Sequence, residues 1–280
     1  MKIRFSRYHA LENDFLIIQH PWARISRSRM GRLARSVCRR RSGIGADGVL
    51  CLSQGRRVDC RLDVYNADGS WAEKSGNGLR IAGVHRYRRD RRKKRFRFET
   101  AGGIDEVTIR SSAGNSCQVY TELGRPEFRA DRIPVKTRFR HMLNTPLTLG
   151  GTKFPVTCVA VGNPHTVLFV NDFEFDWHTL GAEIERHRLF PHRTNVEFVR
   201  VVNRQLLRVA DWERGAGATG SSGTGAAAAV CAAVMLGHAE RNCRVQFATG
   251  DLQVNWDAAT DIIGLNGPVE FVCEGTFDWK

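Results

Sequence analysis

Trp212 to Leu236 reads WERGAGATGSSGTGAAAAVCAAVML, and its two halves obey different rules. Gly215, Gly217, Gly220, Gly223 and Gly225 make the front half a loop whose backbone can come close to a ligand. Residues 226–236 have no polar face, so a helix over them has to be buried. A helix starting just past such a loop points unpaired N–H groups and its positive dipole end back into the loop. That makes a seat for a carboxylate or a phosphate. Taken alone, the plainer reading is a packing turn into a core helix.

The chain does this twice. Asn66 to Tyr87 reads NADGSWAEKSGNGLRIAGVHRY, and its Ser75-Gly76-Asn77-Gly78 lies 147 residues before Ser222-Gly223-Thr224-Gly225. Asn66 lies 147 residues before Glu213, and Asn13-Asp14 is echoed by Asn163-Pro164 at an offset of 150. Offsets near half the chain length point to two related halves. Two helix tips aimed at one cleft would hold a small charged molecule between lobes.

At 280 residues the chain has room for one large domain or two ordinary ones. No apolar run is long enough to cross a membrane, and MKIRFSRYHALENDFLIIQH alternates like a strand without a signal-peptide core, so a cytoplasmic protein is expected. The formal charge of +14 is uneven: residues 1–100 hold 25 Lys and Arg against 9 Asp and Glu. The densest run, Arg86 to Arg97 (RYRRDRRKKRFR), lacks the signature of a nucleic-acid module and reads as a solvated basic face rather than a specific nucleic-acid site. The eight cysteines form no C-x-x-C pair and no zinc spacing. Several sit in apolar context, such as Cys158 and Cys231, and read as reduced, buried small hydrophobes; a metal site is not expected.

Element by element, Ile3 to Ile18 looks like strands interrupted around residues 9–15, and Arg24 to Arg40 has helical spacing at Ile25, Met30, Leu33, Ala34 and Val37. Gly43 to Gly48 is a tight turn, and 49–52 and 61–65 read as strands. Phe96 to Thr100 and Glu106 to Ile109 read as a hairpin. Residues 125–144, polar and interrupted by Pro126 and Pro134, read as the connection between lobes, and short strands flank a helix over 177–186 beyond it. The expectation is an α+β protein of two pseudo-symmetric lobes, each a curled, mostly antiparallel sheet around a central helix. Residues 1–125 would form one lobe and 126–266 the other, with 267–280 a C-terminal strand returning to the first.

With these residues in hand, the chain resembles the diaminopimelate epimerase family over nearly its whole length. The matching pieces are Asn13-Asp14-Phe15, GIGADG at 43–48, YNADGSWAE at 65–73, SGNG at 75–78, GNPH at 162–165, TNVEF at 194–198, ERGAGAT at 213–219 and SGTGA at 222–226. The resemblance implies two pseudo-symmetric lobes with the site in the cleft. It also implies cofactor-independent epimerisation of LL- to meso-diaminopimelate, a precursor of lysine and cell wall, by two cysteines on opposite faces of the α-carbon. It places substrate-binding groups at Asn13, Asn66, Gly76, Asn77, Asn163, Asn195, Glu213, Arg214, Gly223 and Thr224. His165 would lie beside a catalytic residue. The expected partner is a small amino-acid-like substrate, and a homodimer is an assembly the reading allows.

The sequence departs from the family at the reacting groups. The two cysteines fall on Ser75 and Ser222; Ala218 stands where an acidic residue is usual, and Glu12 where glycine is usual. A thiol with a reference pKa of about 8.5 can be tuned to a thiolate at a helix N-terminus. A helix dipole contributes at most ~2 kcal/mol, under about two pKa units, far short of ionising a serine hydroxyl. Three accounts stay open. The chain is a homologue using other acid–base groups, with Ser75, Ser222, His165, Glu213 and Glu73 as candidates and a different small substrate allowed; or it binds an amino acid without turning it over; or its cysteines were changed by design.

Overall fold

The computed structural model describes residues 2–19 and 26–279. Two compact units divide the chain: residues 1–122 with 266–280, and residues 123–265.

In the first unit, β1 (Lys2–Ala10) and β2 (Asn13–Gln19) form an antiparallel hairpin. Leu11 and Glu12 make its turn, with φ of 50° and 66°. Two left-handed residues in a row match the right-handed twist of the flanking strands. Glu12 therefore occupies backbone that glycine takes without strain. Helix α1 (Arg27–Val37), capped by Ser26, leads to β3 (Gly48–Ser53), parallel to β2. The residues of the expected helix at 24 and 25 lie outside the described residues. β4 (Cys60–Asn66) runs antiparallel to β3 and pairs with the short β5 (Trp71–Ala72). Helix α2 (Gly76–Arg89) then returns the chain to β6 (Arg95–Thr100), parallel to β4, and β7 (Gly103–Ala113) and β8 (Ser116–Gly124) follow as an antiparallel meander. The last strand, named here β17 (Ile263–Asp278), pairs antiparallel with β1 from Glu270 onward.

Strand alternation explains why both faces of this sheet are covered. Phe15, Ile17, Leu50, Leu52, Leu62 and Val64 pack with α2, whereas Leu16, Ile18, Val49, Cys51 and Tyr65 pack with α1. Helix α2 is therefore buried almost all round, including Arg80 at 0% exposure. Arg86, Arg88 and Arg89, the start of the basic tract, sit in its last turn, where cations complement the dipole. Arg88 also lies over the Phe271 ring at 3.9 Å, and Lys93 pairs with Asp59.

The second unit repeats the pairings in order and in sense. After β9 (Thr145–Leu149), the strands β10 (Thr152–Ala160) and β11 (Pro164–Phe169) are antiparallel, and β12 (Asn195–Asn203) is parallel to β11. β13 (Leu206–Glu213) is antiparallel to β12 and to the short β14 (Gly217–Thr219). β15 (Asn242–Phe247) is parallel to β13 and antiparallel to β16 (Gly250–Trp256). Helix α3 (Trp177–Glu185) precedes β12, as α1 precedes β3, and α4 (Gly223–Met235) precedes β15, as α2 precedes β6. The architecture is α+β, with the same sheet-and-helix plan in each unit. Residues 125–144 do more than connect: Ala130, Ile133, Val135 and Met142 are buried in the core of the second unit. Among the described residues no helix is long and apolar enough to cross a membrane.

Helix α1 approaches the turn after β4 at its glycines. A Cβ on Gly31 would lie 2.6 Å from the Gly69 carbonyl oxygen, and neither backbone can yield cheaply. Gly31→Ala should therefore destabilise the protein by roughly 1–3 kcal/mol, measured as a lower urea midpoint with an unchanged slope.

Candidate functional site

Both buried helices begin on a serine. Ser75, extended at φ −137° and ψ 119°, accepts a hydrogen bond at its hydroxyl from the Gly78 N–H at 3.0 Å. Ser222, at φ −130° and ψ 125°, accepts from the Gly225 N–H at 3.1 Å. Each hydroxyl keeps its own proton to donate. The N–H groups of Gly76, Asn77, Gly223 and Thr224 head the two helices with no intrahelical acceptor.

In the first unit a hydrogen-bonded chain runs back from the tip of α2. Arg80 Nη2 donates to Asn77 Oδ1 at 2.6 Å, Asn77 Nδ2 to Asn13 Oδ1 at 2.9 Å, and Asn13 Nδ2 to Asp47 Oδ2 at 3.1 Å. The Asp14 and Asp47 backbone N–H groups each donate to the other's carboxylate at 3.0 Å. Arg40 Nη2 bridges both carboxylates, at 2.9 and 2.7 Å, and Arg7 also pairs with Asp14. Burial would raise the Asp14 carboxyl, but hydrogen bonds and charge from Arg7 and Arg40 outweigh it and hold the group below the usual carboxylate range. Asp47 is pushed up, chiefly by burial. Burial brings the Arg80 guanidinium down to about 10, and its Nε and Nη1 have no hydrogen-bond partner. Asn66 ends β4 in an exposed turn, its Nδ2 donating to Ser70 Oγ at 2.9 Å. Glu73 is exposed.

In the second unit the parallel pairing of β11 and β12 sets His165 opposite Asn195. Asn195 Nδ2 donates to the Pro164 carbonyl, and its Oδ1 accepts from the Arg214 N–H, both at 2.9 Å. Imidazole Nε2 of His165 lies 2.8 Å from Asn163 Oδ1, and Nδ1 lies 2.5 Å from Glu197 Oε1, with both side chains sealed from solvent. Burial raises the Glu197 carboxyl, and His165 opposes that rise. Across the strands from Glu197 is Asp211, also buried. Glu213 and Asp211 share the Thr219 hydroxyl. Glu185, at the end of α3, anchors the loop: its Oε2 accepts from Trp212 Nε1 at 2.9 Å, and its Oε1 from the Gly215 N–H at 3.2 Å. The Arg214 side chain is exposed, with Nη1 donating to the His192 carbonyl at 3.1 Å.

Comparing the two tips within their own units shows what differs. A Cβ on Gly78 would meet Leu50 Cδ2 at 2.9 Å; a Cβ on Gly225 would meet Glu197 Oε1 at 3.1 Å. Leu50 and Glu197 are 147 residues apart, as are Val64 and Asp211, and Phe15 and His165 take matching places beside them. So α2 starts over Phe15, Leu50 and Val64, while α4 starts over His165, Glu197 and Asp211. The sequence reading reached His165 and Glu213 but missed Asp14, Asp47, Arg40, Arg80, Glu185, Glu197, Asp211 and Thr219 as members of these networks. Asp47 and Glu197 stand inside the GIGADG and TNVEF motifs. Asp211 and Arg80 carry no local signal beyond being polar residues among apolar ones. Among the described residues no group of three or more His, Cys, Asp or Glu is arranged to hold a metal ion. A depression of about 660 Å³ beside α3, lined by Leu149, Phe154, Glu183 and His187, contains none of the candidate residues.

Solved structures share this fold. A hydroxyproline epimerase from Agrobacterium vitis superposes with a TM-score of 0.74 at 14% identity, over 99% of this chain and 91% of that one. A phenazine biosynthesis protein of the PhzF family from Bacillus anthracis gives 0.70 at 14%, over all of both chains. At such identity the likeness speaks for fold alone, and it sets the chain in this class of two-unit α+β folds.

Sequence relatives are more specific. The diaminopimelate epimerase family profile matches residues 5–128 and 157–272. The diaminopimelate epimerase of Moorella thermoacetica is 36% identical over 277 residues, 98% of this chain and 99% of that protein. That of Acetivibrio thermocellus is 34% identical over 278, covering 99% of each. The chain belongs to the diaminopimelate epimerase family.

Two measurements follow from the local geometry. Ser75→Ala and Ser222→Ala should each cost about 1 kcal/mol of stability through the lost cap, read as a urea midpoint shift. Asp14, held low in the folded state, contributes stability that is present above its unfolded pKa of about 3.9 and is lost as pH falls through its folded value. Asp14→Asn should remove that acid limb from the stability–pH curve measured between pH 2 and 6.

Proposed function

We propose that this protein is a cofactor-independent amino-acid epimerase that interconverts LL- and meso-diaminopimelate, with His165 and Glu213 taking over proton transfer from the family's cysteine pair. Family membership carries the reaction class. The buried acid–base set beneath α4 carries the change of proton carrier. Serine is too weak an acid to rest as an anion at a helix tip, so Ser75 and Ser222 act as hydrogen-bond donors and caps.

The roles follow from chemistry. Within each unit, the first-turn N–H groups of its helix tip (Gly76 and Asn77 on α2, Gly223 and Thr224 on α4) are suited to an α-carboxylate, where the positive dipole end also stabilises the charge that develops as the α-proton leaves. Asn13, Asn66, Asn163, Asn195 and the Glu213–Arg214 pair are suited to the amino and carboxylate groups of the distal end. A general acid or base contributes typically 10²–10⁴-fold. His165, oriented through Nδ1 by Glu197, has the partner that sets its tautomer and ring orientation.

The test is hydrogen exchange in D₂O. An epimerase washes deuterium into the α-position of diaminopimelate, read by NMR, whereas a protein that only binds leaves it protonated. Exchange should fall by about 10²-fold or more in His165→Ala or Glu213→Gln. Ser75→Cys combined with Ser222→Cys should raise it, because thiolates then become accessible at both tips. No exchange in the unmodified protein together with a large gain in the double replacement would mean that the fold kept the substrate and lost the chemistry.

A further inference from the structure

Thr219 Oγ1 is within hydrogen-bonding distance of two carboxyl oxygens, Asp211 Oδ2 and, at 2.8 Å, Glu213 Oε1. A hydroxyl has a single proton to donate. It can satisfy both neighbours only if it donates to one and accepts from the other, so one of the two carboxyls must itself carry a proton. Burial decides which. Asp211 is 1% exposed and its Oδ1 has no hydrogen-bond partner, whereas Glu213 is only half-buried. A carboxylate with an orphaned oxygen in such a place is far more costly than the neutral acid. Asp211 Oδ2–H therefore donates to Thr219 Oγ1, and Thr219 Oγ1–H donates to Glu213 Oε1.

We propose that Asp211, Thr219 and Glu213 form a proton relay in which Asp211 is the buried store that reloads Glu213 as the acid of the isomerase. The assignment rests on the reading of the protein as an isomerase. At rest Glu213 is the carboxylate, so it is loaded first: the Thr219 proton moves to Glu213 Oε1 as the Asp211 proton moves to Thr219 Oγ1, and the negative charge passes to Asp211. Glu213 then gives that proton to the substrate carbanion and neutralises it, which leaves both carboxyls charged until the store takes up a proton again. The reverse sequence accepts a proton from the substrate. Asp211 acts through Glu213 and does not touch the reacting atoms.

The surroundings agree with a stored proton. Burial raises the Asp211 carboxyl well above the usual range, and the neighbouring negative charges of Glu213 on β13 and Glu197 on β12 raise it further. The Thr219 hydroxyl on β14 opposes that rise. Glu197 is itself hydrogen-bonded to Nδ1 of His165 on β11. The first unit has Val64 at the place of Asp211, which leaves no equivalent store beneath α2.

Two readouts on the full chain test the relay. The infrared spectrum at neutral pH should contain a protonated-carboxyl C=O absorption that is lost in Asp211→Asn. In D₂O exchange of diaminopimelate, Thr219→Val should lower the rate by about 10²-fold at little change in KM and shift the pH–rate profile, while Thr219→Ser, which keeps the hydroxyl, should restore it to within a few-fold. If no carboxyl component is lost in Asp211→Asn, or if Thr219→Val keeps the unmodified rate and pH profile, the relay is wrong. If the Asp211 component is present but the unmodified protein exchanges no substrate, the protonated store stands and the isomerase reading fails instead.

Discussion

Everything at the two helix tips depends on how closely a first-turn glycine lets the helix settle onto the strands below. Gly78 and Gly225 each leave no room for a methyl group between helix and sheet. The tip is thereby pinned, and whatever side chain projects from the strand pair beneath is sealed under it. Under α2 that side chain is Leu50; under α4 it is Glu197. One scaffold thus carries an apolar floor in one unit and a titratable floor in the other.

The titratable floor is energetically expensive. Buried carboxyls cost several kcal/mol each unless paired, hydrogen-bonded or neutral. Here all three remedies appear: Glu197 pairs with His165, Asp211 bonds to Thr219, and the Asp211 carboxyl is driven toward its neutral form. What remains is Glu197 Oε2 and Asp211 Oδ1, each without a partner. A fold that tolerates such residues where its other half uses leucine and valine is keeping acid–base capacity at that tip. The serine caps make this intelligible. On the proposed reading, with no thiol to ionise at the tip, proton transfer falls to the side chains beneath it.

The polar network of the first unit has a different character. It is close to fully satisfied: Asp14 and Asp47 exchange backbone hydrogen bonds and share Arg40, and Asn13 and Asn77 are locked in one amide orientation by Arg80. Arg80, buried and left with Nε and Nη1 orphaned, is held there by a helix that is otherwise core. Rigidity of the tip is what that arrangement supplies. The contrast with the second unit lies in which groups are free to change charge, not in how many polar groups there are.

Much of the architecture could be read from the order of residues alone. The 147-residue offset, the apolar helix at 226–236 and the ordered motifs determined an α+β chain of two like halves and its family, because repeats, periodicity and glycine spacing are properties of local sequence. Short strands such as Trp71–Ala72 and Gly217–Thr219 had no local pattern long enough to see, and the buried residues of 125–144 looked like a polar linker because their burial depends on partners far along the chain. The pairing of Glu197 with His165, and of Asp211 with Glu213 through Thr219, was decided only by tertiary structure. Which side chains meet under a helix tip depends on strand register between segments tens of residues apart, and a carboxyl's proton affinity is set by how completely those neighbours exclude water.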